Sequence, residues 1–147
     1  MQMRDSGHVV FINSLQGAIA IPYRSAYTSS KHALNAYCDS LRAELSNTNL
    51  QVLNVYPMYI HTNLSINAIT EDGTPHNQMD ENQDRGEDPR AIAIQIKNAI
   101  LESKYELWPS FVKSRFALVV RILFSDLYHA YMAFRANQQR DQMERVL

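Results

Sequence analysis

Tyr27 and Lys31 stand four residues apart in the run Tyr27-Thr28-Ser29-Ser30-Lys31, and Ser14 lies thirteen residues before the tyrosine. A phenol, with an ordinary pKa of about 10, is a poor proton donor or acceptor at neutral pH, and a fixed cation within a few ångströms favours its charged form. Beside the Lys31 ammonium, Tyr27 becomes a usable acid or base. A hydroxyl at Ser14 can hydrogen-bond a carbonyl or alcohol oxygen held next to the tyrosine. Together the three groups suit the interconversion of a carbonyl and an alcohol.

Two elements must position them. Gly7 to Asn13 is a β-branched and aromatic run after a glycine, which reads as a buried strand over residues 8–14 with Ser14 at its carboxyl end. Residues 15–24 form a loop closed by Pro22, and a helix follows from about Ala26 to Leu45 with Ser25 as its N-cap. At about 100° per residue, Leu34, Cys38, Leu41 and Leu45 cluster around the direction of Tyr27, with Lys31 about 40° away. The phenol and the ammonium are therefore expected to extend the buried face. Leu50 to Tyr56 reads as a second strand, so strand, helix and strand make a right-handed parallel unit with ligands at the carboxyl ends, where Ser14 and Pro57 both lie.

With these elements in place, the sequence resembles the short-chain dehydrogenase/reductase family. Ser14 and the Tyr27-x-x-x-Lys31 pair match its motif at the usual separation, and Pro57-Met58-Tyr59-Ile60-His61-Thr62 is similar to its Pro-Gly-x-Ile/Val-x-Thr, with Met58 where the family has glycine. Residues 19–27, Leu41-Arg42-Ala43-Glu44 and residues 59–70 look like the 7B branch of that family. The close resemblance covers roughly residues 7–70, and the wider family pattern reaches about residue 108.

The resemblance implies an α/β fold: the C-terminal half of a Rossmann-type, doubly wound parallel sheet, three strands with flanking helices. It implies an oxidoreductase that passes hydride between NADP or NAD and a small carbonyl or alcohol substrate. Tyr27 would give or take the oxygen's proton, Ser14 would hold that oxygen, and Lys31 would contact the nicotinamide ribose. Pro57, Ile60 and Thr62 would join Tyr27 and Lys31 in holding the cofactor, the backbone near Ile60 at the carboxamide and the Thr62 hydroxyl at the amide or a phosphate. On the residues alone, Thr62 could equally cap a short helix over Asn63–Ile69. A pyrophosphate needs a glycine-rich turn. Gly7, Gly17, Gly73 and Gly86 are too far apart to make one, so the nucleotide-binding half is expected to be missing, cofactor binding to be lost or weak in this chain, and the chain to be inactive alone.

Residues 1–108 are expected to form the partial catalytic unit and 109–147 a helical extension. Between Glu71 and Asp88 seven acids face Arg85 alone in a Gly/Pro/Asn/Gln-rich run, part of a substrate loop over about 63–88 that is either a lid or disordered. Asp88-Pro89 starts a helix with Ile92, Ile96, Ala99 and Ile100 on its buried face, and Tyr105–Trp108 forms a third strand.

Phe111 to about Asn137 reads as one helix that either packs on the domain or lies at a membrane surface with Arg115, Arg121 and Arg135 near headgroups. The tail after it is expected to fray. Ser29, Ala33, Ala36, Ser40 and Ala43 make a stripe of small residues on the 26–45 helix, which fits either a homodimer partner or an upstream helix of the same chain.

A net charge of −1 gives no electrostatic pointer to nucleic acid. The single Cys38 is a packed thiol on this reading, and the five histidines show no metal-ligand spacing, so no metal is expected. The polar stretch Met1–Ser6 does not read as a signal peptide, which points to an intracellular protein, and the resemblance adds the endoplasmic reticulum or peroxisomal membrane. The alternative to an enzyme is a catalytically silent truncated relative that acts as a dimerisation or membrane-peripheral module.

Overall fold

The computed structural model describes residues 6–70 and 72–144. Met1–Asp5 of the expected polar start, Glu71 of the acidic run and Arg145 of the tail lie outside the described residues.

Three parallel strands form the sheet in the order β1 (Ser6–Ile12), β2 (Asn49–Val55) and β3 (Glu106–Leu107). β1 and β2 pair along their full length, from Ser6 opposite Asn49 to Ile12 opposite Val55, while β3 meets only Asn54 and Val55. β1 ends two residues before Ser14, although the pairing continues through Asn13 N to Val55 O (2.9 Å) and Leu15 N to Pro57 O (2.9 Å). Ser14 thus sits just past the strand, as the N-cap of a short 3-10 turn over Leu15–Gly17.

Helix α1 (Ser25–Glu44) connects β1 to β2. Ser25 is its first helical residue; Arg24 holds the cap position without a side-chain bond. Its buried face centres on Thr28, Lys31, Asn35 and Cys38, turned toward the Leu15–Gly17 turn, so Tyr27 lies at the rim of that face and is 39% exposed. That corrects the expectation of a buried tyrosine.

Alternation along β2 divides the core. Leu53 and Val55 point to α3 (Pro89–Leu101) and meet Ala99, Ile96 and Ile100. Asn54 and Tyr56 point the other way, where Tyr56 joins Leu15, Ile19 and Trp108 under Ala117 and Leu118 of α4 (Phe111–Leu123). Tyr56 and Trp108 stack with ring centres 4.0 Å apart.

Elsewhere the chain departs from the sequence reading. Asn63–Ile69 is no helix but a set of turns, because the Ile66 and Ala68 carbonyls accept from Asn77 N and His76 N (2.9 and 2.7 Å) across a small loop. Within the acidic run, α2 (Glu81–Asp84) forms behind Asp80, whose carboxylate accepts from the amides of Asn82 and Gln83. The single C-terminal helix is two: α4 and α5 (Ser125–Glu144) meet at 114°, and α5 carries the tail expected to fray. Among the described residues no single helix is long and apolar enough to cross a membrane.

Candidate active site

The end of β1 presents Asn13 and Ser14, both buried. The Ser14 hydroxyl accepts from Gln16 N (3.2 Å) and caps the 3-10 turn. Gln16 in turn accepts from the Thr28 hydroxyl (3.0 Å), tying the turn to α1 one residue beyond Tyr27. Gly17 permits the closest approach: a Cβ there would lie 2.9 Å from Lys31 O and 2.7 Å from Asn13 Nδ2. The residues around Ser14 are thereby packed on α1 at the level of Tyr27 and Lys31.

Lys31 reaches back to the same strand end. Its ammonium donates to Ile12 O (3.2 Å) and lies 5.7 Å from the centre of the Tyr27 ring. Among the described residues the Tyr27 hydroxyl makes no hydrogen bond, which leaves a half-open phenol beside a cation.

At the end of β2, Pro57 is buried and its carbonyl receives Leu15 N, so the ends of β1 and β2 are locked together. Met58 packs against the Leu15 and Trp108 cluster. Ile60 forms a parallel bridge with Glu87, through His61 N to Glu87 O (3.0 Å) and Glu87 N to Tyr59 O (2.9 Å). Thr62 Oγ1 accepts from Gln83 Nε2 (2.8 Å), and Gln83 Oε1 accepts from Ser65 N (3.1 Å).

Sequence reasoning passed over Gln83, which is buried, and Asp80, which also pairs with Arg24 just before α1 (3.2 Å). An aspartate directly ahead of Glu81 was a readable N-cap signal; the partners of Gln83 left no local trace. Gly86 was passed over too, and its missing side chain lets the loop lie on Ile60 and His61.

Electrostatics near the sheet are dominated by burial. Desolvation, then Glu106, raises the Tyr56 phenol, whose hydroxyl donates to Asn35 Oδ1 and accepts from Asn54 (2.9 Å). Desolvation also raises the Cys38 thiol. In the outer loop, hydrogen bonds from Thr70 and Thr74 hold the Asp72 carboxyl below its ordinary value. Among the described residues no three His, Cys, Asp or Glu side chains gather as metal ligands.

A family model described as "short chain dehydrogenase" matches residues 1–73. "Dehydrogenase/reductase SDR family member 7B" of Danio rerio is 43% identical over 141 residues, which cover 96% of this chain and 46% of that protein. "Dehydrogenase/reductase SDR family protein 7-like" of Drosophila melanogaster is 44% identical over 136 residues, 92% of this chain and 42% of that one. The chain therefore spans less than half the length of these curated relatives.

Two solved structures share the fold. A short-chain dehydrogenase from Burkholderia cenocepacia in complex with NADP superposes with a TM-score of 0.64 at 20% identity, over 86% of this chain and 47% of the other. A short-chain dehydrogenase/reductase from Burkholderia phymatum in complex with NAD gives 0.65 at 18%, over 84% and 51%. From its sequence matches, the chain belongs to the short-chain dehydrogenase/reductase family, in the 7B-like branch.

Proposed function

We propose that this chain supplies the catalytic side of an oxidoreductase that interconverts a carbonyl and an alcohol with NADP or NAD. The observation that carries the reading is the position of the Lys31 ammonium, bonded to Ile12 O at the strand end and 5.7 Å from the ring of a half-exposed tyrosine. Relatives of the 7B branch and neighbours solved with NADP or NAD support it.

The donor set suits a nicotinamide nucleoside: an ammonium for ribose hydroxyls, and the Thr62 hydroxyl, already oriented by Gln83, for an amide or phosphate oxygen. A bound nicotinamide supplies or accepts the hydride. Ser14 holds the substrate oxygen by donating its hydroxyl hydrogen to it, while its oxygen goes on accepting from Gln16 N (3.2 Å). Tyr27 gives the oxygen its proton as the carbonyl is reduced and takes it back in the reverse direction, while Lys31 stabilises the negative charge that passes onto the phenol oxygen. Pro57 and Ile60 contribute backbone, fixed by the pairing of the two strand ends and of Ile60 with Glu87.

NADPH and NADH titrated against the chain separately test the cofactor: saturable binding supports the reading, and no binding favours the silent partner described below. Tyr27→Phe, placed in a protein with a complete dinucleotide site, is expected to lower turnover by about 10²-fold or more without moving the unfolding midpoint. Retained turnover overturns the role of the tyrosine.

A second reading is a silent partner that pairs through α1. It is supported by the small residues Ser29, Ala33, Ala36, Ser40 and Ala43, all exposed on one stripe of that helix.

A further inference from the structure

We infer that the outer face of α4 and the first half of α5 docks on an anionic phospholipid bilayer, lying in the interface rather than crossing it. On α4, Val112, Phe116, Val119 and Leu123 follow at intervals of four, three and four residues and form one stripe. Val112 is 79% exposed, Phe116 69% and Leu123 68%. The opposite side of the helix is the one that packs on the domain, through Ser114, Ala117 and Leu118. Two apolar faces on one helix leave the outer one without a protein partner among the described residues.

The stripe continues around the 114° bend into Phe124, Leu127, Tyr131 and Phe134, all more than half exposed. Between the helices an apolar groove of about 430 Å³, lined by Phe116, Val120, Leu127, Tyr131 and Met132, opens beside the stripe.

Charge selects the occupant. Residues 111–140 carry five cations, Lys113, Arg115, Arg121, Arg135 and Arg140, against Asp126 alone. The rest of the chain carries nine cations against fourteen acids. Lys113 flanks the α4 stripe, about 100° to one side of Val112, while Arg115, about 60° to the other, pairs with Glu106 (3.7 Å) and lies over the Trp108 ring. An apolar stripe edged by cations is what the boundary between headgroups and acyl chains accepts, with the acidic body turned away. A second copy laid face to face would bring two cationic segments together. At thirteen residues, α4 alone is shorter than the roughly 20 a spanning helix needs, and α4 and α5 reach the length and composition of a span only as a pair bent by 114°, a shape that suits lying along the interface better than a straight crossing.

The test is co-sedimentation of the chain with vesicles of phosphatidylcholine, with and without phosphatidylserine, at low and high salt. The chain is expected to pellet with the phosphatidylserine vesicles, less so at high salt, and far less with phosphatidylcholine alone. The double variant Val112→Glu/Phe116→Glu should lose binding by about tenfold or more, since each change puts a charge where an apolar side chain enters lipid. Lys113→Glu, which leaves the apolar stripe intact, should weaken binding to the phosphatidylserine vesicles alone. Recovery in the supernatant with every vesicle overturns the inference. So does a concentration-dependent dimer that the double variant abolishes while vesicle binding persists, because the face then belongs to a second copy. None of these readouts depends on the chemistry of Tyr27.

Discussion

Gly86→Ala is the sharpest probe of the loop that lies on the candidate cofactor segment. A Cβ at residue 86 would stand 2.7 Å from His61 N and from Ile60 C, and 2.9 Å from Gln83 O, all of them backbone atoms. Carbon contacts settle at about 3.5 Å, so one segment must retreat by roughly 0.8 Å. The two bonds across the bridge, 3.0 and 2.9 Å long, then stretch beyond hydrogen-bonding distance. At about 0.5–1.5 kcal/mol each, the loop loses on the order of 1–3 kcal/mol of local stability. Amide hydrogen exchange reads this directly. Protection at His61 and Glu87 should fall by about 5- to 150-fold, with Val52 and Leu53 in the strand core changed much less. Gly73→Ala is the contrast, since nothing lies within 4 Å of a Cβ there and only its left-handed backbone (φ +81°) is strained. Undiminished protection at His61 and Glu87 in Gly86→Ala would refute the seating of the loop and, with it, the fixed placement of Thr62.

Alkaline pH should weaken the fold in two steps. The Cys38 thiol is raised from 9.0 and the Tyr56 phenol from 10.0, both chiefly by desolvation. Each group's contribution is therefore complete below its unfolded pKa and is lost as pH rises through the higher folded value. Denaturant midpoints should hold below about pH 9 and decline above it, and Tyr56→Phe should flatten the later part of the decline. An unchanged slope in that variant would assign the loss to other groups. Asp88→Ala removes the cap that accepts Arg90 N at 3.1 Å and should cost about 0.5–2 kcal/mol, measured by thermal or denaturant unfolding. A midpoint identical to that of the unsubstituted chain would mean that Pro89 alone starts α3.

Where local pattern and tertiary demand agree, the fold is legible from the residues. Asp88-Pro89 followed by apolar residues three and four apart becomes α3 with Asp88 as cap, and the β-branched run before Asn13 becomes β1. Where a distant partner decides, the pattern misleads. Asn63–Ile69 has helical spacing, yet its carbonyls are claimed by His76 and Asn77. Phe111–Asn137 is apolar enough for one helix, yet it breaks at Phe124.

In the candidate site, the proximity of Tyr27 and Lys31 follows from helical spacing. The exposure of Tyr27 does not, because it depends on which side of α1 the Leu15–Gly17 turn occupies. Gln83 stayed hidden for the same reason: its importance lies in Thr62 and Ser65, twenty-one and eighteen residues away.

Tyr128, buried at the start of α5, donates to Ala20 O and accepts from Ala20 N (3.0 Å). Ala20 is six residues past Ser14 and follows directly on Ile19, a member of the core under α4. The joint works as a rivet between the outermost helix and the segment that carries the serine. Whatever grips the helical pair therefore grips an element pinned directly to the segment that leads out of Ser14.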